Sequence, residues 1–135
     1  VVSAWNPIDL DKMALPPCHF QFQVVVIGDK LNLLWSQRSV DSVLGLPFNI
    51  ASYGLLLHLL AKEGGFKEGK LTGFLGDTHI YDNHINGLKK QLERDPYELP
   101  TVETDNFNSI FDWKYTDSEV KNYKHHPRIK FEIAV

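Results

Sequence analysis

The chain has 135 residues, 43% of them apolar and 23% charged, with 14 basic against 17 acidic side chains for a formal net charge of −3. This is the composition of an ordinary soluble globular domain, and it argues against a disordered chain and against a nucleic-acid partner held by a broad basic face. A single cysteine, Cys18, rules out an internal disulfide framework and suits a reducing compartment, the cytoplasm. The chain opens at Val1 on an apolar stretch; the expectation is that no signal peptide precedes it and that residues 1–135 are a single domain cut from a longer protein. The longest apolar stretch, residues 47–61, is too short to cross a bilayer and contains Asn49, Ser52 and His58, so no membrane partner is expected.

Residues 1–5 are apolar and open on β-branched side chains, which predicts a short strand. Asn6-Pro7 breaks it. Residues 9–13 suit one helical turn, ended by Pro16-Pro17 because proline donates no backbone hydrogen bond and disfavours helix in the residue before it. Residues 20–27 form a strand rich in Val and Phe, Gly28-Asp29 a turn and residues 31–36 the returning strand, together a hairpin. From Pro47 the period becomes helical: Phe48, Ala51, Leu55 and Leu59 make one stripe, and Ile50, Leu56, Leu57 and Leu60 fill most of the rest. A helix apolar nearly all round predicts a buried central helix, stopped by Gly64-Gly65. Residues 70–75 read as a strand, and residues 82–94 as an exposed amphipathic helix ended by Asp95-Pro96. Seven acidic residues between Asp95 and Glu119 face Lys114 alone, as in a solvated loop region. Strand candidates lie at 99–102, 110–115 and 128–135. The sum is an α+β domain.

Four segments can carry chemistry. Cys18 follows Leu15-Pro16-Pro17 and precedes His19. Two prolines pin the backbone before a thiol, which suits a nucleophile held in place that needs a nearby cation or donors to react as thiolate. A buried structural cysteine is the other reading. Gln37-Arg38-Ser39 ends a strand beside Asp41, where the arginine fork and the hydroxyl suit either a phosphate or a surface ion pair. Asn49, at the mouth of the helix, is either its N-cap or an amide that donates and accepts at once against a pyrimidine or amide edge. Gly76-Asp77-Thr78-His79-Ile80-Tyr81, with Asn83-His84 after it, is a polar link between strand and helix. In it His79 and Tyr81 share a face if extended and can meet one sugar hydroxyl. Asp77, His79 and His84 do not match common zinc spacings, and no metal is expected.

Together, Met13-Ala14-Leu15-Pro16-Pro17-Cys18-His19, Gln37-Arg38-Ser39-Val40-Asp41, Leu44-Gly45-Leu46-Pro47-Phe48-Asn49-Ile50-Ala51-Ser52-Tyr53 and Gly76-Asp77-Thr78-His79-Ile80-Tyr81-Asp82-Asn83-His84 resemble the thymidylate synthase family, in order and spacing. Ser3-Ala4-Trp5-Asn6-Pro7, His126-Pro127-Arg128-Ile129-Lys130 and the terminal Ala134-Val135 are similar as well, so the resemblance runs from end to end. Several segments are similar to bacterial and phage members. The resemblance implies reductive methylation of dUMP to dTMP, with 5,10-methylene-tetrahydrofolate giving the carbon and the hydride. It makes Cys18 the nucleophile at C6 of the pyrimidine, and places Gln37, Arg38, Ser39 and Asp41 on the nucleotide, with Arg38 and Ser39 at the phosphate and Arg38 near the thiolate. It gives Asn49 to N3–H and O4 of uracil, His19 to a polar network near the base, and His79 and Tyr81 to the ribose 3′-hydroxyl. Asp41, Leu44, Gly45 and Phe48 line the folate site, and the carboxylate of Val135, after Ala134, closes over the ligands. The implied fold is a mixed β-sheet with the central helix, whose back face pairs with a second subunit in a homodimer.

The family's amino-terminal half has no counterpart in these residues. That half carries a phosphate-binding arginine loop, a glutamate of the proton relay, and aromatic residues near folate and nucleophile. The arginine pair that the family places just before the segment matching Val1, and lends across the dimer, is missing too. The expectation is therefore a carboxyl-terminal half that is inactive or nearly so alone. Ser36 and Val25 stand where the family commonly has tyrosine. Loss of aromatic bulk there favours water over hydride, which makes a phage deoxyuridylate hydroxymethylase the rival enzyme. A non-catalytic nucleotide- or folate-binding remnant is the rival of another class.

Overall fold

The computed structural model describes residues 1–133; Ala134 and Val135, expected at the folate, lie outside the described residues. The chain forms two compact units, Val1–His79 and Ile80–Val135.

In the first unit, β1 (Val2–Ser3), β2 (His19–Ile27), β3 (Lys30–Asp41) and β4 (Lys67–His79) form a four-stranded sheet in that order. β1 and β3 run antiparallel to β2 and β4 runs parallel to β3, so the sheet is mixed. The β2–β3 turn is Gly28-Asp29, with Gly28 at φ 62°, a conformation that the missing Cβ makes accessible. Parallel partners cannot be joined by a tight turn, and helix α1 (Leu46–Gly64) makes the crossover from β3 to β4. Alternation along β3 sends Leu31, Leu33 and Trp35 to one face, where they are buried with Leu57 and Ala61 of α1. Gly65, at φ 69°, closes the helix in a left-handed cap, and the Phe66 N–H donates to the Ala61 carbonyl at 2.8 Å.

Two expectations change here. Gln37-Arg38-Ser39 and Gly76-Asp77-Thr78-His79 lie within strands rather than at a strand end or in a link. Parallel pairing of Gln37 with Leu75, Ser39 with Asp77 and Asp41 with His79 satisfies their backbone groups despite their polarity. The helix expected from Pro47 is present, but its burial is concentrated in Leu57, Leu59 and Ala61. Phe48 and Ile50 near its start are exposed, because the sheet packs against Leu56, Leu57, Leu60 and Ala61.

The β3–β4 ladder slips between Leu31 and Leu33, and the Asn32 amide repairs it. Its Oδ1 accepts from the Lys70 N–H at 2.8 Å and its Nδ2 donates to the Val25 carbonyl at 3.2 Å, so one side chain ties three strands. Asn32→Ala removes both bonds and is expected to cost about 1–2 kcal/mol. A lower urea midpoint at unchanged slope checks this; an unchanged midpoint contradicts it.

His58 of α1 meets Glu68 of β4, Nδ1 to Oε1, at 2.7 Å. The backbone N–H of Glu68 is the main influence holding this carboxyl below the usual glutamate range; burial opposes it, and the His58 imidazole adds a further lowering. A depressed folded value means stability that is present above the unfolded value and lost as pH falls through the folded one. Parent and Glu68→Gln midpoints are therefore expected to converge between about pH 5 and pH 3. Parallel curves over that range would show that the pair adds nothing.

In the second unit a 3₁₀ turn (Asp82–His84) runs into α2 (Ile85–Leu92), shorter than the helix expected over 82–94. β5 (Thr101–Glu103) pairs antiparallel with β6 (Glu119–Lys121). β5 takes up the expected strand at 99–102 with a small shift. Residues 110–112 are turn, 113–114 irregular and Tyr115 opens a 3₁₀ turn; residues 128–133 carry no strand, and β6 forms from the short triplet Glu119-Val120-Lys121 that no pattern marks. His84 is fully buried, its Nε2–H donates to the Glu132 carbonyl at 2.7 Å, and Phe131 lies edge-on to its ring and over Gly87. Among the described residues no helix is long and apolar enough to cross a membrane.

Candidate active site

Cys18 is a free, half-buried thiol in the segment that leads into β2. Arg38 holds that segment twice. Its backbone N–H donates to the Cys18 carbonyl at 2.9 Å. Its guanidinium donates to the Pro16 carbonyl, from Nε at 3.2 Å and Nη2 at 2.6 Å. The cation is thereby stationed two residues from the thiol, and it keeps further N–H donors for an anion.

Gln37, next along β3, is 4% exposed and faces α1. Its Oε1 accepts from the Trp35 indole N–H at 3.3 Å, and its Nε2 donates to the Ser39 carbonyl and to Asn49 Oδ1, each at 3.0 Å. This corrects one of the two readings of Asn49. It is not the N-cap: Gly45 holds that position, and the Asn49 N–H donates within the helix to the Gly45 carbonyl at 3.0 Å. Because Gln37 donates to Oδ1, the Asn49 amide is fixed with its NH₂ free to donate. His19, the first residue of β2, pairs with Gln37 and stacks on Tyr53 at 5.5 Å, and Tyr53 stacks on Trp35 at 5.1 Å. Burial pushes the Tyr53 phenol above its usual range.

Asp41 ends β3, and its Oδ1 accepts from the N–H groups of Val43 and Leu44 at 2.9 and 3.1 Å, shaping the turn into α1. Leu44, Gly45 and the exposed Phe48 follow, so the four expected folate contacts lie between the end of β3 and the first turn of α1. A Cβ on Gly45 would sit 3.0 Å from the Asp41 carbonyl, so the close approach favours glycine. His79 ends β4 beside Asp41, and its carbonyl accepts from the Ser42 N–H at 3.0 Å. Tyr81 lies in the second unit, its ring edge-on to His84. A cavity of about 310 Å³ opens beside Arg38, lined by Phe20, Ser36, Phe74 and Gly76 among others. Among the described residues, no group of three or more His, Cys, Asp and Glu side chains is placed to hold a metal.

The first unit thus gathers Cys18, His19, Gln37, Arg38, Ser39, Asp41, Asn49 and His79 at the loop before β2, the ends of β3 and β4 and the head of α1. Sequence reasoning missed Trp35 and Tyr53. The signal for Trp35 was its place two residues before Gln37, on the same strand face. Residues 1–135 match the family profile described as thymidylate synthase.

The chain belongs to the thymidylate synthase family.

It is 50% identical over 135 residues to a bifunctional dihydrofolate reductase-thymidylate synthase of Paramecium tetraurelia, covering all of this chain and 29% of that protein. It is 50% identical to the thymidylate synthase of Staphylococcus haemolyticus, of which it covers 42%, and 49% identical to that of Mycoplasma pneumoniae, of which it covers 47%. The chain therefore spans less than half the length of these thymidylate synthase relatives. Identity to the ciliate protein is as high as to the bacterial ones, so these three do not single out a bacterial or phage type.

Proposed function

We propose that the chain is the carboxyl-terminal part of a thymidylate synthase that converts dUMP to dTMP, working in the cytoplasm as a homodimer. The observation that carries this reading is the Cys18 segment held by Arg38 through two carbonyls, with a guanidinium close by. The Cys18 thiolate adds to C6 of the pyrimidine and moves the C5–C6 π pair toward C5 and O4. C5 then bonds the one-carbon unit, the C5 proton leaves as that carbon's bond to the folate nitrogen breaks, hydride reaches the carbon to make it a methyl group, and the C6–S bond breaks to return the thiolate. 5,10-Methylene-tetrahydrofolate supplies the carbon and the hydride and leaves as dihydrofolate. Arg38 and Ser39 hold the phosphate. Asn49 donates its NH₂ to O4, and its Oδ1, already taking one bond from Gln37, accepts the N3–H on its second lone pair. Cytosine reverses both groups, so the orientation that Gln37 imposes selects uracil. His19 joins the polar network near the base, and His79 takes the ribose 3′-hydroxyl. Asp41, Leu44, Gly45 and Phe48 face the folate. Tyr81, Ala134 and Val135 keep roles that rest on their motifs alone.

The test is to incubate the complete protein with 5-fluoro-dUMP and 5,10-methylene-tetrahydrofolate and look for a mass increase on Cys18. Absence of an adduct leaves the non-catalytic remnant. With dUMP itself, dihydrofolate must appear; tetrahydrofolate in its place indicates the hydroxymethylase. The isolated chain is expected to be inactive or nearly so.

A further inference from the structure

Proline has no backbone N–H, so Pro16-Pro17-Cys18 can be anchored mainly through its carbonyls. All three are taken. Pro16 and Cys18 are held by Arg38, as above. The carbonyl between them, Pro17, accepts from the indole Nε1–H of Trp5 at 3.0 Å, across twelve residues of sequence. Trp5 is itself placed by backbone pairing. Val2 pairs with Phe22 and Ser3 with Gln21, and the Ala4 N–H donates to the Phe20 carbonyl at 2.8 Å. Its own N–H donates to Ser3 Oγ at 3.3 Å, and its ring lies against Phe20 with centroids 4.9 Å apart.

The Pro17 carbonyl and the Cys18 N–H belong to one planar peptide. The next peptide, Cys18–His19, is held at its carbonyl by the Arg38 N–H, so fixing the Pro17–Cys18 plane as well sets the backbone on both sides of the Cys18 Cα and with it the direction of the Cα–Cβ bond. We propose that Trp5 is a positioning residue for the nucleophile: its indole N–H fixes the Pro17–Cys18 peptide plane and so, with Arg38 on the next peptide, the direction in which the Cys18 side chain leaves the backbone. This rests on the reading of Cys18 as the nucleophile. Packing alone does not account for the contact, because Trp5 is 38% exposed while its N–H is spent on this carbonyl.

The complete protein is compared with variants in which Trp5 is replaced by 3-benzothienylalanine, which keeps the bicyclic shape but has sulfur in place of N–H, or by 7-azatryptophan, which keeps the N–H. Two reactions of Cys18 are timed. Adduct formation with 5-fluoro-dUMP demands one approach direction; alkylation by iodoacetamide does not. The benzothienyl variant is expected to form the adduct about tenfold more slowly or worse, with alkylation within about threefold of the parent, and 7-azatryptophan to restore the rate to within about twofold. An unchanged adduct rate in the benzothienyl variant overturns the proposal. So does a slowed adduct accompanied by severalfold faster alkylation, which would mark a loosened loop and a merely structural tryptophan. A parent that forms no adduct overturns the reading of Cys18 itself, a result separable from the other two.

Discussion

Replacing Cys18 by serine is expected to lower dTMP formation by the complete protein on the order of 10⁴-fold and to abolish the 5-fluoro-dUMP adduct. A hydroxyl ionises far less readily than a thiol, so almost no anion is present near neutral pH to attack C6. The fold gives no reason for wider damage. The anchors of the loop run through the carbonyls of Pro16, Pro17 and Cys18, which serine leaves in place. An unchanged melting temperature beside the lost rate is therefore the expected pair of results. A serine variant that kept more than about a hundredth of the parent rate would remove Cys18 from the covalent step.

Gln37→Leu is expected to destabilise the protein by about 3 kcal/mol or more. The side chain is 4% exposed, and it serves the Trp35 indole, the Ser39 carbonyl and Asn49 Oδ1. Leucine fills similar space but leaves three polar partners in or near the core without a bond, at roughly 1–3 kcal/mol each. Some of that is recovered where water reaches Asn49. The loss reads as a lower denaturant midpoint at constant slope. A second effect follows in the complete protein. The Asn49 amide, no longer held by its oxygen, turns freely between donor and acceptor ends, and preference for dUMP over dCMP is expected to narrow. A cost below about 1 kcal/mol would show that the three bonds are replaced by others.

The hairpin and the crossover helix were legible because their signals are local. Residues 20–27 are dense in Val and Phe, Gly28 supplies the positive φ, and residues 47–61 keep a helical period. The ends of β3 and β4 were not legible. Gln37-Arg38-Ser39 and Gly76-Asp77-Thr78-His79 are polar, and only their pairing with each other, far apart in sequence, makes them strand. Asn49 illustrates the same limit within the site. Its position predicts a cap, whereas its partner Gln37 arrives from the neighbouring strand. Trp5 looked like an apolar residue of a terminal strand; nothing near it in sequence announces the Pro17 carbonyl. The motifs named the residues of the site, and the tertiary contacts supplied what each one is tied to.

β3 has two neighbours acquired by very different routes. β2 comes through a turn of two residues, while β4 comes only after the whole of α1 has been laid down. Closing the longer connection costs more chain entropy, so the β2–β3 ribbon is expected to assemble early and β4 to dock late. Gln37 and Arg38 sit on the strand shared by both events. In pulse-labelled hydrogen exchange during refolding, the amides that β3 gives to β2 gain protection before those exchanged with β4, and the Cys18 site matures only with the last strand.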